Sequence, residues 1–276
     1  MLNRLLISTK RRSLVLIGAI MLILVHVVYL NGNIKELINP TAIELVALAV
    51  IVSFAIKRKH IQIRPLLRLL IHGREGNLEE TIKRFYYYAL VQKEQGYMLL
   101  EKELQKEPDS FVRRGSILAI EGVPEEELRI ILENELKGEQ YRYLQTGGMF
   151  RLIGLLAPGM GLVGTLFGMT GVLENISDFG KTGHSLSAAV VATLYGALLA
   201  NLFALPCYYR LMDIHDREMF EKRLYIEGMI SLQRMETPRV LFEKLNSFLP
   251  GDQKLVLVKQ PGSNRGTIER QASHAG

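Results

Sequence analysis

The sequence predicts an all-α integral membrane protein. It would have four transmembrane helices, a helical cytoplasmic domain between the second and the third, and a C-terminal cytoplasmic helix. Of the 276 residues, 48% are hydrophobic and 22% are charged. This composition is too apolar for an ordinary soluble domain and too charged for a bundle that lies wholly in the membrane. Because basic residues cluster beside the apolar runs, we expect several membrane spans joined to a sizeable aqueous part.

Four segments are apolar enough to cross the hydrocarbon core of a bilayer, which takes about 20 residues of helix. The second begins after Pro40, as helices often do, and contains Glu44 near its outer end. A cleaved signal peptide is the alternative for the first, but no small-residue cleavage site follows it. The predicted spans are residues 13–30 and 41–56, which form a first pair (13–56), and residues 149–173 and 185–209, which form a second pair (149–209).

The distribution of lysine and arginine predicts the orientation of these spans. Basic clusters precede the first and third spans and follow the second and fourth, whereas each short connection on the opposite side holds one lysine. Such clusters stay on the cytoplasmic side of a membrane. Both termini and the segment 57–148 are therefore predicted to be cytoplasmic.

The segment 57–148 is expected to form a compact cytoplasmic domain of helices. Leu78, Ile82 and Phe85 recur at the three-to-four spacing of an amphipathic helix. Farther along, Pro124 followed by three glutamates is typical of a helix start. The domain thus contains at least two amphipathic or capped helices.

The remaining segments are shorter. Residues 1–12 form a cytoplasmic N-terminus. Residues 210–250 are predicted to continue the fourth span as a cytoplasmic helix, which breaks near Pro238 and resumes. Residues 251–276 are polar and have no clear periodicity, so they are predicted to be a disordered tail.

Small residues are concentrated in the third and fourth spans. Gly161, Thr165 and Gly168 share one helical face, and Gly164 and Gly168 form a small-xxx-small pair. In the fourth span, Gly196 lies on a face with alanines. Small residues let membrane helices approach closely. Static helix packing is therefore one sufficient explanation of these glycines.

Prolines and polar residues in the same two spans indicate a further role. Pro158 and Pro206 cannot donate backbone hydrogen bonds, and the carbonyls they leave free are tolerated beside a neighbour or a water-filled cavity. Thr165 and Thr193 place hydroxyls on small-residue faces, and Asn201 extends a polar stripe. A threonine can instead bond back to its own helix, so that alternative stays open for each one.

Neither span carries Asp, Glu, Lys or Arg at its centre. A proton path through a membrane normally uses an ionisable residue. Glu44 lies near the outer surface, where it can extend to water. If these spans line an ion path, the ion-binding carboxylate has to come from another chain.

Other classes of function have little support. The single cysteine, Cys207, excludes an intrachain disulfide, and no metal-ligand spacing occurs. Without a nucleophile elbow or a phosphate-binding loop, no enzyme activity and no cofactor are predicted. The net charge of +6 is explained by membrane topology rather than by nucleic-acid binding.

Two fragments resemble the paired third and fourth helices of the MotA/TolQ/ExbB proton-channel family. They are APGMGLVGTLFGMTGVL and AAVVATLYGALLANLFALP, with the pattern AP-x-x-G-x-x-GT-x-x-G and then ATLYG-x-x-x-AN-x-x-x-x-P. Two spans before the cytoplasmic segment, rather than one, are similar to the MotA branch. NPTAIELV, QKEQGYMLLEKEL and GMISLQRMETPRVLFEKLNSFLP agree with that branch, so the resemblance covers roughly residues 35–250.

The resemblance implies an ion-channel subunit of a flagellar motor stator in the bacterial inner membrane. It implies a homo-oligomer, a pentamer, around two single-span MotB-like subunits. A membrane aspartate of these partners would bind the transported H⁺ or Na⁺. Ion flow would drive the ring to rotate and turn the flagellar rotor through the protein FliG.

The resemblance also implies roles for individual residues. Pro158 and Pro206 match a proline pair that couples conformation to ion passage. Thr165 and Thr193 match positions that face the ion path, on the stripe that Asn201 extends. For two further residues the implied role is rotor contact: Lys93 and Glu101.

Two departures from the family pattern leave alternatives open. Lys93 stands where an arginine is usual, so the positive charge remains but bidentate pairing with a carboxylate is lost. Lys93 and Glu101 also fit a solvated charged face. The first span lacks the usual glycine-rich character. The alternatives are an ExbB/TolQ-like energy-coupling subunit for outer-membrane transport or envelope maintenance, and a structural membrane scaffold.

Overall fold

The computed structural model describes residues 38–57, 77–259 and 266–270. The predicted N-terminus (1–12) and first span (13–30) lie outside these residues. The helices are α1 (Pro40–Lys57), α2 (Leu78–Gln95), α3 (Tyr97–Gln105), α4 (Ser110–Ile120), α5 (Glu125–Glu174), α6 (Phe179–Leu198), α7 (Leu205–Gln233) and α8 (Pro238–Asn246). A π-helical turn (Leu199–Ala204) joins α6 to α7, and a 3₁₀ turn (Gly251–Gln253) precedes two strands, β1 (Leu255–Lys259) and β2 (Gly266–Arg270).

The described residues form two compact units. The first contains α1, the part of α5 from Met149 onward, α6 and the π-helical turn. The second contains α2 to α4, the part of α5 up to Gly148, α7 from Cys207 onward, α8 and the two strands.

Two continuous helical stretches are long and apolar enough to cross a membrane. They are Glu125–Glu174 and Phe179–Gln233, and Pro40–Ile56 is a shorter apolar helix. The predicted third and fourth spans lie within the two long stretches, and the predicted second span coincides with the shorter helix.

Alanine side chains form the core of the first unit. One cluster consists of Ala42, Val191 and Ala192, and another includes Ala49 and Ala157. The N-terminus of α1 is held by Asn39, whose side-chain oxygen accepts a bond from the N–H of Ala42 at 3.2 Å. Because these side chains are small, the helix backbones lie close together.

Larger side chains form the core of the second unit. Phe85, Leu128, Met229 and Phe242 come from four different helices and are almost fully buried. Ile82 and Phe85 lie on the buried face of α2, as their spacing indicates. Side-chain caps begin three of the helices: Asn77 for α2, Asp109 for α4 and Thr237 for α8.

The predicted disordered tail was wrong for residues 251–259 and 266–270. Strand β1 pairs with β2 in an antiparallel hairpin, with Leu257 opposite Ile268. Leu255 is buried in the core of the second unit. The side chain of Asn246 accepts from the N–H of Leu255 at 2.9 Å and donates to its carbonyl at 3.0 Å. These contacts hold the strand in place, and the fold therefore contains a small sheet beside its helices.

Candidate functional site

In the first unit, α5 and α6 meet along a face of glycine and alanine. A methyl group on Gly161 would lie 2.8 Å from the carbonyl oxygen of Ala192 and 3.0 Å from the Cα atom of Thr193. A methyl group on Gly168 would lie 2.8 Å from the carbonyl oxygen of Ser185. The backbones are thus too close for any larger residue at these two positions.

Gly164 and Gly196 extend the same contact. A methyl group on Gly164 would lie 2.5 Å from the Cβ atom of Ala192 and 3.3 Å from the side chain of Leu45 on α1. A methyl group on Gly196 would collide with the backbone carbonyl of Ala157. All four glycines singled out in the sequence therefore lie where helices touch.

Thr165 and Thr193 come together across this contact. Their Oγ1 atoms are 2.5 Å apart, and they lie 3.2 and 3.3 Å from the carbonyl oxygen of Gly161. A hydroxyl has one proton and two lone pairs. If one threonine donates to the other and the second donates to Gly161, both protons are used within the protein. The remaining lone pairs then form an uncharged set of oxygen acceptors.

The π-helical turn lies just before Pro206. The N–H of Leu205 donates to the carbonyl of Ala200, five residues earlier, instead of four. Asn201 lies in this turn, and its side-chain nitrogen donates to the carbonyl of Ala197 at 3.0 Å. A π-helical turn inside an α-helix often marks a functional position. Pro158 behaves differently, because α5 continues through it without a break.

The predicted ion-path residues and the predicted pair of coupling prolines share an outward orientation within the first unit. Pro158, Thr193, Asn201 and Pro206 are exposed, and Thr165 is half-buried. Large apolar side chains surround them on the same helices: Leu155, Leu162, Leu166 and Val190. The outward face therefore carries a few polar groups within an apolar surface.

The predicted rotor-contact residues belong to the second unit. Lys93 is exposed near the end of α2 and lines a surface groove of about 500 Å³ together with Arg239 and Phe242. Glu101 is exposed on α3 and accepts a bond from Gln105 at 3.5 Å. The groove that Lys93 lines does not include Glu101.

A partly buried polar cluster in the second unit was not expected from the sequence. Lys222 pairs with Glu139, and the hydroxyl of Tyr143 donates to Glu218 at 2.5 Å. The ring of His215 lies 4.7 Å from the ring of Tyr143. His215, Glu218 and Lys222 recur at three-to-four spacing on α7, which is the signal that could have revealed them.

Burial changes the acid–base behaviour of this cluster. It lowers the pKa of His215, although the carboxylates of Asp216, Glu218 and Glu139 act in the opposite direction. Within the described part of the chain, the Nδ1 atom of His215 has no hydrogen-bond partner. Burial and the bond to Glu218 raise the pKa of Tyr143. The lowered pKa of His215 favours the neutral form of its ring.

Known proteins share both the sequence and the fold. The model of the MotA/TolQ/ExbB proton channel family matches residues 101–223. Motility protein A of Treponema pallidum is 32% identical over 180 residues, which cover 65% of this chain and 70% of that protein. The flagellar MotAB stator complex from Bacillus subtilis matches with a TM-score of 0.76 at 27% identity, over 85% of this chain and 95% of that one. C. jejuni MotAB matches with a TM-score of 0.77 at 22% identity, over 85% and 93%.

The fold and the site define a helical membrane protein built around two close-packed, small-residue helices. Within residues 149–173 and 185–209, these helices carry hydroxyls but no Asp, Glu, Lys or Arg near the middle of either segment. The similarity to known proteins makes the assignment more specific. This chain belongs to the MotA/TolQ/ExbB proton channel family.

Proposed function

We propose that this chain is the ion-channel subunit of a flagellar motor stator. It converts the flow of H⁺ or Na⁺ across the bacterial inner membrane into rotation of a ring that turns the flagellar rotor. The proposal is supported by the relatives named Motility protein A and by the similarity to the MotAB stator complex.

The observation that carries the proposal is the contact of Thr165 with Thr193. Two hydroxyls and the carbonyl of Gly161 lie together between two predicted spans, 149–173 and 185–209, that have no Asp, Glu, Lys or Arg near their centres. Such a group can contact a cation or a protonated carboxyl, but it cannot hold a charge by itself. The charged partner therefore comes from a second protein.

That second protein is a MotB-like subunit with one membrane span and an aspartate at the depth of the threonines. Several copies of this chain, five in the family pattern, surround two such subunits. The outward face with Pro158, Thr165, Thr193 and Pro206 then faces the partner helices. Because its side chains are small or apolar, that face lets a partner helix move past with few strong contacts to break.

The remaining parts of the chain follow from this arrangement. Four spans place both termini and the second unit in the cytoplasm, as the basic residues indicate. The second unit carries Lys93 and Glu101 on its surface, where the rotor protein FliG is the expected partner. A point charge at Lys93 attracts a rotor carboxylate without the fixed geometry of an arginine.

The test is swimming by a strain that lacks the gene for this chain. The strain is complemented with wild type or with Pro158→Ala, in sodium-free and sodium-rich media. The proposal predicts assembled flagella without motility in the deletion strain, rescue by wild type, and no rescue by the proline variant at equal membrane level. The dependence of swimming speed on sodium identifies the ion.

A matched control separates coupling from folding. Gly159→Ala changes the neighbouring residue, where a methyl group would meet no described atom within 4 Å. This variant should swim like wild type. Normal swimming by the deletion strain would refute the flagellar role and favour an ExbB/TolQ-like role in envelope energy transfer.

A further inference from the structure

Glu107 is the only acidic residue that is buried in the described part of the chain. Its side chain is 1% exposed and lies just after the end of α3, where the N–H of Glu107 donates to the carbonyl of Leu104 at 3.1 Å. A buried carboxylate destabilises a fold unless charged and polar groups surround it. The partners of Glu107 therefore indicate what the fold gains from it.

Both carboxylate oxygens of Glu107 bond to side chains of α2. The guanidinium of Arg84 donates to Oε1 at 2.6 Å, and the hydroxyl of Tyr88 donates to Oε2 at 2.5 Å. Burial and the bond to Glu107 raise the pKa of Tyr88, so the hydroxyl keeps the proton that it donates. On the side of α4, Oε1 accepts from the N–H of Asp109 at 3.3 Å, and the backbone carbonyl of Glu107 accepts from Arg113 at 2.9 Å. One residue thus ties the end of α3 to both neighbouring helices.

Helix α3 is short and depends on its surroundings for its position. It spans nine residues and buries the side chains of Leu100 and Leu104. A helix of this length is only marginally stable by itself. It begins at Gly96, which has a φ of 80° and supplies no side chain to cap the helix. The first end of α3 is therefore a backbone corner, whereas the other end is held by the side chain of Glu107.

The outer face of α3 carries Glu101, which the proposed function places in contact with the rotor. Glu101 is exposed, as are Met98 and Lys102 beside it. A force on Glu101 acts on α3 about one helical turn from the end that Glu107 holds. If the bonds to Glu107 were lost, that end of α3 could move and the carboxylate of Glu101 would move with it.

We propose that Glu107 is a positioning residue for the rotor contact. Together with Arg84 and Tyr88, it fixes α3 so that Glu101 keeps its place when the rotor pulls on it. Separating a buried charge pair leaves an unpaired charge in the interior, so this arrangement resists displacement. The inference rests on the proposed function, because it requires that Glu101 contacts the rotor. It adds a second carboxylate with a different task, which is to hold the helix on which Glu101 lies.

Tyr88→Phe tests the hold on α3 in the purified full chain. The variant removes the hydroxyl that bonds to Glu107 but keeps the ring, which packs against Phe85 with the centroids 6.1 Å apart. Tyr143→Phe is the matched control, because it also removes a hydroxyl that donates to a carboxylate at 2.5 Å, that of Glu218 in the same unit. Amide hydrogen exchange in α3 should become roughly tenfold faster with Tyr88→Phe, as expected for one hydrogen bond to a charged group.

The control should leave exchange in α3 unchanged, and exchange in α8 should stay slow in both variants. The proposal would be overturned by unchanged exchange in α3 with Tyr88→Phe. Equal acceleration by Tyr143→Phe, or faster exchange throughout the second unit, would also overturn it, because the hydroxyl of Tyr88 would then serve the whole core rather than α3.

Rotation of tethered cells tests whether Glu107 acts through Glu101. Each variant is expressed with the single-span partner in a strain that lacks this chain, at equal membrane level. Tyr88→Phe should lower the speed under load about twofold, because one of the bonds that hold α3 is lost, while Tyr143→Phe should not. Glu101→Gln removes the charge that α3 positions and leaves Lys93 to contact the rotor. Adding Tyr88→Phe to Glu101→Gln should therefore lower the speed no further.

Two results of the rotation measurement would refute the positioning role. One is full speed with Tyr88→Phe alone, and the other is an equal proportional loss from Tyr88→Phe with and without the charge of Glu101. Wild type that fails to restore rotation counts against the stator role instead. Exchange in α3 then decides whether Glu107 holds the helix.

Discussion

At the residue scale, single backbone and side-chain atoms decide how close the helices lie. Gly161 has a double role, because its missing side chain admits Ala192 and its carbonyl oxygen is within reach of both threonine hydroxyls. The contact between Thr165 and Thr193 therefore depends on a residue that has no side chain. A change at Gly161 should affect packing and the polar group together.

The first prediction compares two glycines of α5. Gly161→Ala should destabilise the protein by about 1–3 kcal/mol, because the methyl group collides with the backbone of α6. Gly159→Ala should instead stabilise it slightly, by about 0.5–1 kcal/mol, because a methyl group there meets no described atom within 4 Å. Thermal unfolding of both variants in detergent measures the difference. Equal melting temperatures would show that α5 and α6 are not in close contact.

The second prediction concerns His215 and pH. Burial lowers its pKa in the folded protein, against the opposing effect of Asp216, Glu218 and Glu139, and the ring of Tyr143 packs beside it at a tilt of 34°. The unfolded chain therefore binds a proton more readily. Stability should be complete above the unfolded pKa of about 6.5 and fall as pH drops below it toward the folded pKa.

The measurement is the free energy of unfolding between pH 8 and pH 5. Wild type should lose stability with a slope of at most about 1.4 kcal/mol per pH unit from this group. His215→Gln should show a shallower loss over the same range. If the two profiles run parallel, His215 is not held neutral by the fold.

At the element scale, the sequence predicts helices more readily than it predicts contacts between them. The described apolar helices follow from local hydropathy, and the break before α8 follows from Thr237 and Pro238, which cap and begin that helix. The β-hairpin has no comparable local signal. It depends on Leu255 reaching the core and on the side chain of Asn246, and both are contacts made through the fold.

The same distinction applies to the candidate site. The glycine pattern in the sequence predicts a close helix pair, and the positions of Thr165 and Thr193 on small-residue faces indicate a polar stripe. The distance between the two hydroxyls depends on how α5 and α6 cross, which no residue determines alone. The position of the π-helical turn at Asn201 likewise depends on the hydrogen bonding of several residues before Pro206, which has no backbone N–H to donate.

The third prediction tests what holds the hairpin. Asn246→Ala removes two hydrogen bonds to the backbone of Leu255, each worth about 0.5–1.5 kcal/mol. Amide hydrogen exchange in β1 should become faster, while exchange in α2 stays slow. Ser247→Ala is the matched control, because among the described residues that hydroxyl bonds to the carbonyl of Lys244 and to no strand. Unchanged exchange in β1 would mean that core packing and pairing with β2 hold the strand without Asn246.

At the scale of the whole molecule, the two units divide the task that the proposed function sets. The first unit has helices in close contact and an outward face with few polar groups, which suits movement against a partner in the membrane. The second unit has a core of large side chains and a charged surface, which suits transmission of force in water. Two helical stretches of the chain connect the units, because α5 and the α6–α7 stretch each contribute residues to both.

The most direct test of the central claim follows the rotation of single tethered cells that lack stators. Expression of this chain with its single-span partner is switched on while each cell is watched. The proposed function predicts that rotation restarts, stops when the ion gradient is dissipated, and does not restart with Gly161→Val at equal membrane level. Cells that stay still while wild-type protein accumulates in the membrane, or that rotate equally well with Gly161→Val, would contradict it.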